Sequence, residues 1–320
     1  MSQPSLLSAT EYAGGVVCID TGYVRERLAG CYLLEAEDCV AFIETGTSAT
    51  VPHMLSLLEA RGWAREQVRY VIVTHVHLDH AGGAGLLMQQ LPEAEFLVHP
   101  RGARHMIDPS RLEASVRAVY SDDYFEDTFA PLVPIAAERT REMREGDTIK
   151  LGTRKLRFID TPGHARHHFC VWDEQTRGWF TGDTFGISYR ELDTEQGFFI
   201  FPTTTPIELD PPRLHESVGR LLEADPEWMY LTHFGRVGNP RLLGPQLLAA
   251  LDAMVDIAER NEHDDQRGER IRSELKDWLF DAARDHGVGL SDARLHELLA
   301  NDIELNAQGL EVWLQRRART

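Results

Sequence analysis

The chain has 320 residues, of which 42% are hydrophobic and 26% are charged, as is typical of a globular protein with one large core. Its formal net charge of −18 argues against nucleic acid and anionic membranes as partners, because binding either one requires a basic surface. The four cysteines form no C-x-x-C pair, which argues against a disulfide framework and a thiolate zinc site and favours reduced cysteines.

The sequence does not indicate a targeting segment or a membrane-spanning segment. Residues 1–7 lack the charged and apolar regions of a signal peptide. No apolar run reaches the roughly 18 residues that a transmembrane helix needs. We therefore expect a cytoplasmic protein that does not associate with a membrane.

Strand-like and helix-like patterns alternate from residue 16 to about residue 236. Apolar residues at helical spacing predict helices at 52–61 and 85–91, and the polar stretch 101–126 predicts short helices. A further helix is predicted to begin after Asp210, because Asp caps helices and the two prolines that follow are accepted in a first turn. Runs of β-branched, aromatic and other apolar residues predict strands at 16–20, 32–35, 40–43, 68–73, 95–98, 148–151, 155–159, 168–172, 178–181 and 228–231.

The sequence from Leu242 onward has a different pattern, with apolar residues at helical spacing and no predicted strands. It predicts four helices, which lie near 247–258, 271–282, 295–299 and 310–314. The alternation before this region predicts two sheets sandwiched between helical layers. We therefore expect a sandwich domain over residues 1–240 and a helical C-terminal subdomain over 241–320, which packs on the main fold or forms a homodimer surface.

Three histidines and one aspartate lie within six positions, directly after the predicted strand at 68–73. The sequence there is His75-Val76-His77-Leu78-Asp79-His80. Imidazole nitrogen and carboxylate oxygen are donors that zinc and similar divalent ions prefer. Burial of these groups without partners would cost several kcal/mol each, so the spacing predicts a metal site. Gly82 and Gly83 follow it, where they allow either close helix packing or a flexible turn.

Three later segments also end a strand-like run at a side chain that can bind a metal. Residues 159–164 end in a Pro-Gly turn followed by His164. Residues 179–183 end at Asp183, and residues 230–233 end at His233. Each of these segments therefore carries one candidate ligand to the edge of a sheet.

The ordered set HVHLDH, PGH, GD and TH resembles the motifs of the metallo-β-lactamase-fold hydrolase superfamily, over residues from about 15 to 236. The resemblance implies an α/β fold of the αββα sandwich type, with a dinuclear metal site at the sheet edges. Zinc is the expected metal, and iron or manganese suits the same donors. By this resemblance the first ion is held by His75, His77 and His164, the second by Asp79, His80 and His233, and both are bridged by Asp183.

Several positions depart from the usual patterns of this superfamily. Asp183 stands where the commonest zinc β-lactamases have Cys, so we do not expect antibiotic hydrolysis. His77 stands where flavodiiron oxidoreductases usually have Glu, so we do not expect reduction of oxygen or nitric oxide. The Asp-Thr-Gly turn of the family is Glu44-Thr45-Gly46 here, which we interpret as a conservative change at a structural position. In the usual P-G-H-x-x-G-H pattern the Gly is replaced by His167, and the second His is His168. We interpret His168 as a hydrogen-bonding residue beside the ligands, and the sequence does not assign His167.

The function implied by the resemblance is that of a dinuclear metal-dependent hydrolase with a metal-bridging hydroxide. Two divalent ions can share one oxygen and lower the pKa of bound water from near 15.7 toward about 7. The expected substrate is a small ester, thioester or lactone. Asp79 is the candidate catalytic residue, because it can orient the nucleophile or pass a proton to the leaving group.

Aromatic residues follow Asp183 in the segments 185–189 and 198–206. They indicate either an apolar wall for the substrate or rings that pack beneath the loop. Homoserine lactonases of the family have a Tyr where Gly186 stands, so the sequence does not support that activity. The candidate substrate-binding residues are Phe185, Tyr189, Phe198 and Phe199.

The sequence is also compatible with other functions. Glyoxalase II-like thioesterases share the ligands and a helical C-terminal region, but Arg270, Arg272 and Lys276 fit a solvated helix face better than a glutathione pocket. A phosphodiesterase could use the same two-metal site. A metal-retaining ligand-binding or regulatory protein is a second class. A one-iron oxidoreductase is a third class, which the seven-ligand set disfavours.

Overall fold

The computed structural model describes residues 8–119, 121–204 and 208–319. Residues 1–7, for which we expect no signal peptide, and Thr205 and Pro206 of the aromatic segment lie outside the described residues. The chain forms two compact units. The first extends to Asp160 and includes His167–Gly182 and Glu227–Arg236, whereas the second consists of Thr161–Arg166, Asp183–Pro226 and the chain from Val237 onward.

The first sheet of the first unit has its strands in the order of the sequence. Its first four strands pair antiparallel, and the fourth to the seventh pair parallel. The two edge strands, Ala9–Tyr12 and Thr140–Glu142, are largely exposed and were not predicted, because they carry no apolar pattern. The strands are β1 (Ala9–Tyr12), β2 (Val16–Asp20), β3 (Gly30–Glu35), β4 (Val40–Ile43), β5 (Val68–Ile72), β6 (Glu95–Val98) and β7 (Thr140–Glu142).

The strands of the second sheet are also neighbours in the order of the sequence. The first four of them pair antiparallel, and the fourth and the fifth pair parallel. The ten strands predicted from the sequence are confirmed, with ends that shift by at most two residues. The strands of this sheet are β8 (Thr148–Leu151), β9 (Arg154–Asp160), β10 (Phe169–Asp173), β11 (Gly178–Gly182), β12 (Trp228–Leu231) and β13 (Gly235–Val237).

Side-chain alternation along β3 shows how the first sheet buries both of its faces. Cys31 and Leu33 lie in the apolar cluster that includes α1 (Val51–Ala60). Tyr32 points to the other face, where its ring centroid lies 5.1 Å from that of Phe180 and 5.8 Å from that of Tyr230 in the second sheet. The two sheets therefore pack face to face through aromatic rings, and helices cover the outer face of the first sheet.

The helices of the first unit follow the predicted positions. The predicted helices at 52–61 and 85–91 are confirmed within one residue, and the polar stretch 101–126 forms three short helices. Within the described residues, none of the helices is both long and apolar enough to cross a membrane. Besides α1, these helices are α2 (Leu78–Ala81), α3 (Ala84–Gln90), α4 (Pro100–Ile107), α5 (Ser110–Val119) and α6 (Asp122–Thr128).

The second unit is largely helical in its described residues. Its helices are α7 (Pro211–Glu223), α8 (Pro240–Arg260), α9 (Arg267–Asp285) and α10 (Asp292–Arg317). Asp210 caps α7 as predicted, since its carboxylate accepts a hydrogen bond from the Arg213 amide at 3.2 Å. The prediction of separate helices near 295–299 and 310–314 is wrong, because both lie in α10. The residues between them continue the helix, and two polar residues among them, Asp302 and Asn306, are buried. The domain boundary at residues 240 and 241 stays a prediction.

Candidate metal centre

The HVHLDH motif lies between the buried strand β5 and the one-turn helix α2. His77 is the N-cap of α2, with an extended backbone, and Asp79 and His80 lie within that turn. Thr45 anchors this helix, because its amide and hydroxyl donate hydrogen bonds to the His80 carbonyl at 2.7 and 2.9 Å. A strand end and an anchored helical turn thus fix the four candidate ligands on rigid elements.

The candidate ligands of the first unit converge through three close contacts. His75 Nε2 lies 2.7 Å from His77 Nδ1. Asp79 Oδ2 lies 3.6 Å from His80 Nε2 and 3.4 Å from His233 Nε2. One ligand atom each of Asp79, His80 and His233 lies within 4.8 Å of the others, as a shared cation requires. Imidazole nitrogen and carboxylate oxygen at this separation fit a divalent ion such as zinc.

Hydrogen bonds at Nδ1 orient two of these rings. His233 Nδ1 lies 2.9 Å from the Leu28 carbonyl, which can only accept, so Nδ1 carries a proton and Nε2 faces Asp79. His75 Nδ1 lies 3.1 Å from Thr74 Oγ1, and that hydroxyl donates to Glu44 Oε1. The hydroxyl can therefore accept from His75 Nδ1–H, which directs His75 Nε2 toward His77. Such outer hydrogen bonds commonly set the orientation of metal-binding histidines.

Glu44 contacts the candidate ligands, although the sequence indicated only a structural role for its turn. Strands β4 and β5 are parallel, so Glu44 and Thr74, which follow them, lie at the same sheet edge. The Glu44 carboxylate is 1% exposed and accepts from the Thr74 amide at 3.3 Å. Its Oε1 also lies 3.5 Å from His80 Nδ1. The longer Glu side chain in place of the family's Asp was the available sequence signal.

Glycines allow close approach on two sides of the motif. A Cβ on Gly83 would lie 2.7 Å from the Thr47 carbonyl oxygen, so close packing rather than a flexible turn explains this residue. Gly182 has φ +48°, and a Cβ there would lie 2.5 Å from His168 Nε2. His168 is fully buried, and its ring centroid lies 4.9 Å from that of His75. His168 is therefore a core residue that packs against the His75 ring.

His167 lies beside the same histidines. It is half-buried, and its Nδ1 accepts a hydrogen bond from the Val76 amide at 3.5 Å. Its ring centroid lies 5.6 Å from that of His77. His167 thus contacts the backbone between the first two histidines of the motif.

The second unit holds the other two candidate ligands next to each other. His164 Nε2 lies 3.2 Å from Asp183 Oδ2, and both side chains are buried. His164 Nδ1 lies 3.3 Å from the Thr203 carbonyl oxygen and therefore donates to it. Gly163 has φ +137°, and a Cβ there would lie 2.5 Å from the Leu214 amide nitrogen in α7. Only a glycine therefore fits against this helix at position 163. This close approach allows the predicted Pro-Gly turn to present His164.

The four candidate substrate-binding rings pack within the second unit. Phe185, Tyr189 and Phe199 are 0%, 1% and 7% exposed. Phe198 is half-buried, with the Arg190 guanidinium 4.7 Å from its ring centroid. The packing expected for rings beneath the loop is therefore observed, and contact with a substrate stays a prediction.

Of the three basic residues weighed for a glutathione pocket, two form ion pairs. Arg270 Nε lies 2.6 Å from Asp264 Oδ2, and Arg272 pairs with Glu304. Lys276 Nζ lies 5.7 Å from the ring centroid of Phe280. These contacts fit the helix-face interpretation.

The sequence and the fold both match known proteins. The family model of the metallo-beta-lactamase superfamily matches residues 24–233. A metallo-beta-lactamase fold-containing protein of Sulfurisphaera tokodaii is 26% identical over 238 residues, which are 73% of this chain and 83% of that protein. The crystal structure of an archaeal metallo-beta-lactamase superfamily protein from Sulfolobus tokodaii matches with a TM-score of 0.67 at 25% identity, over 93% of this chain and 99% of that chain. The predicted fold class is thereby confirmed.

Two named hydrolases are also similar to this chain. A hydroxyacylglutathione hydrolase of Chelativorans sp. is 25% identical over 186 residues, which are 56% of this chain and 54% of that enzyme. An acyl-coenzyme A thioesterase of Homo sapiens is 26% identical over 179 residues, which are 50% of this chain and 60% of that enzyme. The match therefore spans little more than half of either enzyme. The family model covers more than half of the length of this chain, and the chain therefore belongs to the metallo-beta-lactamase superfamily.

Proposed function

We propose that this protein is a metal-dependent hydrolase with a dinuclear site that acts on a small thioester, ester or lactone. The convergence of Asp79, His80 and His233 carries the proposal, because it places two imidazoles and a carboxylate around one point. Of the two hydrolases named above, one is named as an acyl-coenzyme A thioesterase and the other as a hydrolase of hydroxyacylglutathione, so we propose a thioester as the leading substrate class.

The proposed ligand assignment follows the superfamily resemblance. His75, His77 and His164 would hold the first ion, and Asp79, His80 and His233 would hold the second. Asp183 would serve as a ligand of both ions. Zinc is the proposed metal, because neutral imidazole and carboxylate donors suit it, although iron and manganese suit them as well.

The chemistry divides between the ions and the side chains around them. When bound, two divalent ions supply a water of lowered pKa and polarise the scissile carbonyl group. Asp79 is the proposed catalytic residue, since its side chain is 22% exposed whereas His80 is fully buried. This partial exposure lets the carboxylate orient water or pass a proton to the leaving group. Glu44 and the Leu28 carbonyl orient the histidines around it.

Turnover of a chemically varied substrate panel tests this function. Protein reconstituted with zinc is assayed on acyl thioesters, simple esters, lactones and phosphodiesters, before and after chelation. We expect thioester turnover that chelator abolishes and added metal restores. Turnover of phosphodiesters alone would contradict the proposed substrate class and identify the protein as a phosphodiesterase. A metal-loaded protein that cleaves none of the four would support a binding or regulatory role instead.

Compartment and assembly are part of the proposal. All four cysteines are buried and lie outside any disulfide, which fits a reducing compartment such as the cytoplasm. We propose a small-molecule substrate, no nucleic-acid or membrane partner, and a homodimer through the C-terminal helices. Light scattering of the purified protein measures the assembly state directly.

A further inference from the structure

Two buried polar residues of α10 face the segment that follows Asp183. Asp302 and Asn306 are four residues apart and therefore lie on one face of the helix. They are 7% and 3% exposed. The Asp302 carboxylate accepts a hydrogen bond from the Tyr189 hydroxyl, with oxygen distances of 3.0 and 3.2 Å. The segment is thus anchored to α10 at Tyr189, and a second anchor lies one helical turn further along.

Asn306 forms this second anchor through both ends of its side-chain amide. Its Oδ1 accepts from the Thr204 amide at 2.7 Å, and its Nδ2 donates to the Pro202 carbonyl at 3.3 Å. The Thr204 hydroxyl donates to the Asn306 carbonyl at 3.1 Å. The bonds of Asn306 therefore hold the backbone on either side of Thr203.

Thr203 provides the connection to the candidate metal centre. Its carbonyl oxygen accepts from His164 Nδ1 at 3.3 Å. Nε2 of the same ring lies 3.2 Å from Asp183 Oδ2. The direction of one backbone carbonyl thus sets which nitrogen of His164 is protonated and where its other nitrogen points.

We propose that Asn306 is a positioning residue for the metal ligand His164. It acts by fixing the Thr203 carbonyl, and this inference rests on the proposed function. Loss of the Asn306 side-chain amide leaves the buried backbone N–H of Thr204 without its hydrogen-bond acceptor. The cost of this unpaired group favours a shift of residues 202–204. The His164 ring then loses the hydrogen bond that orients it. Groups that hydrogen-bond to a metal ligand typically contribute about 10- to 100-fold to metal affinity.

Metal affinity and the ligand-field spectrum of three variants test this role. The variant Asn306→Ala removes both side-chain hydrogen bonds. Asn301→Ala changes an exposed Asn of the same helix, and Leu310→Ala opens a cavity in the apolar cluster that α10 shares with Met254 and Ile271. Zinc affinity is measured by competition with a chromophoric chelator, and the cobalt-substituted protein is examined by visible absorption.

We expect Asn306→Ala to bind zinc about 10-fold more weakly and to change the cobalt spectrum. Both control variants should retain wild-type affinity and spectrum, although Leu310→Ala lowers stability. Wild-type affinity in Asn306→Ala, or an equal loss in Leu310→Ala, overturns the assignment. If Asn306→Ala does not fold, Asn306→Asp replaces it, because it keeps the acceptor for Thr204 and loses the donor to Pro202. Its expected loss of affinity is smaller, and unchanged affinity overturns the role. If the wild-type protein binds no metal, the proposed function fails and this inference fails with it.

Discussion

The Nδ1–H of His233 donates a hydrogen bond to the Leu28 carbonyl at 2.9 Å, and Nε2 of the same ring lies 3.4 Å from Asp79 Oδ2. The backbone at Leu28 therefore sets the tautomer of a histidine far away in the sequence. With Nδ1 protonated, the lone pair of the neutral ring lies on the side of Asp79 and His80. The ring is thus arranged to bind a cation.

Loss of a proposed ligand should deplete the metal without unfolding the protein. His75→Ala and Asp183→Ala each remove one donor, so we expect undetectable hydrolysis and an affinity loss of more than about 100-fold. Cooperative thermal unfolding should persist in both variants. The matched control is His263→Ala, which removes an exposed histidine and should change neither property. Wild-type turnover in either ligand variant would contradict the assignment.

Glu44 should contribute to metal affinity through the groups that it contacts. Its carboxylate accepts from Thr74 and lies 3.5 Å from His80 Nδ1. Glu44→Ala removes both interactions, so we expect zinc affinity to fall by about 10- to 100-fold. Equilibrium competition with a chelator measures this change. An unchanged dissociation constant in a folded variant would show that the turn has only a structural role.

The buried ion pair between Arg154 and Asp173 should be a large contributor to stability. Both side chains are 0% exposed, and two hydrogen bonds of 2.8 and 2.6 Å join them. Asp173→Ala leaves the guanidinium buried without its counter-ion, so we expect a loss of about 3–5 kcal/mol in the free energy of unfolding. Denaturant titration measures the loss. A change below about 1 kcal/mol, the usual value for an exposed pair, would refute this expectation.

The pair of Glu35 and Arg61 should make stability depend on pH. Hydrogen bonds from Arg61 lower the pKa of Glu35 below its ordinary value, and Trp63 Nε1 adds a bond of 2.8 Å. A lowered pKa means that this stabilisation is present above the unfolded-state pKa of about 4.3 and is lost as the pH falls through the folded-state pKa. Glu35→Gln should therefore cost about 1–2 kcal/mol at neutral pH and much less in acid.

Urea titrations of both proteins from pH 7 down to pH 3 measure that difference. Asp225→Asn is the control, because its partner Arg241 is 76% exposed and the pair should contribute little at any pH. A constant gap between the wild-type protein and Glu35→Gln over this range would exclude the proposed linkage.

The parts of the fold that were predicted correctly have local signals. Buried strands such as β5 show continuous apolar runs, and the ligand motif is contiguous in sequence. The exposed strand β1 has no such run. The central part of α10 has polar residues that interrupt the apolar pattern, so the sequence did not predict that one helix continues through it.

The parts of the site that were missed depend on contacts between residues far apart in the sequence. Glu44 reaches Thr74 across 30 positions, and Asn306 reaches Thr204 across 102 positions. Neither the parallel pairing of β4 and β5 nor the packing of α10 can be derived from local spacing. The sequence therefore named candidate ligands but not the residues that orient them.

Metal content tests the proposed dinuclear site directly. The protein is purified without added metal, and the divalent ions per chain are counted by inductively coupled plasma mass spectrometry after exchange into metal-free buffer and again after zinc loading. We predict that zinc loading gives about two ions per chain, as the proposed dinuclear site requires, and that His233→Ala holds fewer. A wild-type protein that holds no metal after loading would contradict the proposed site.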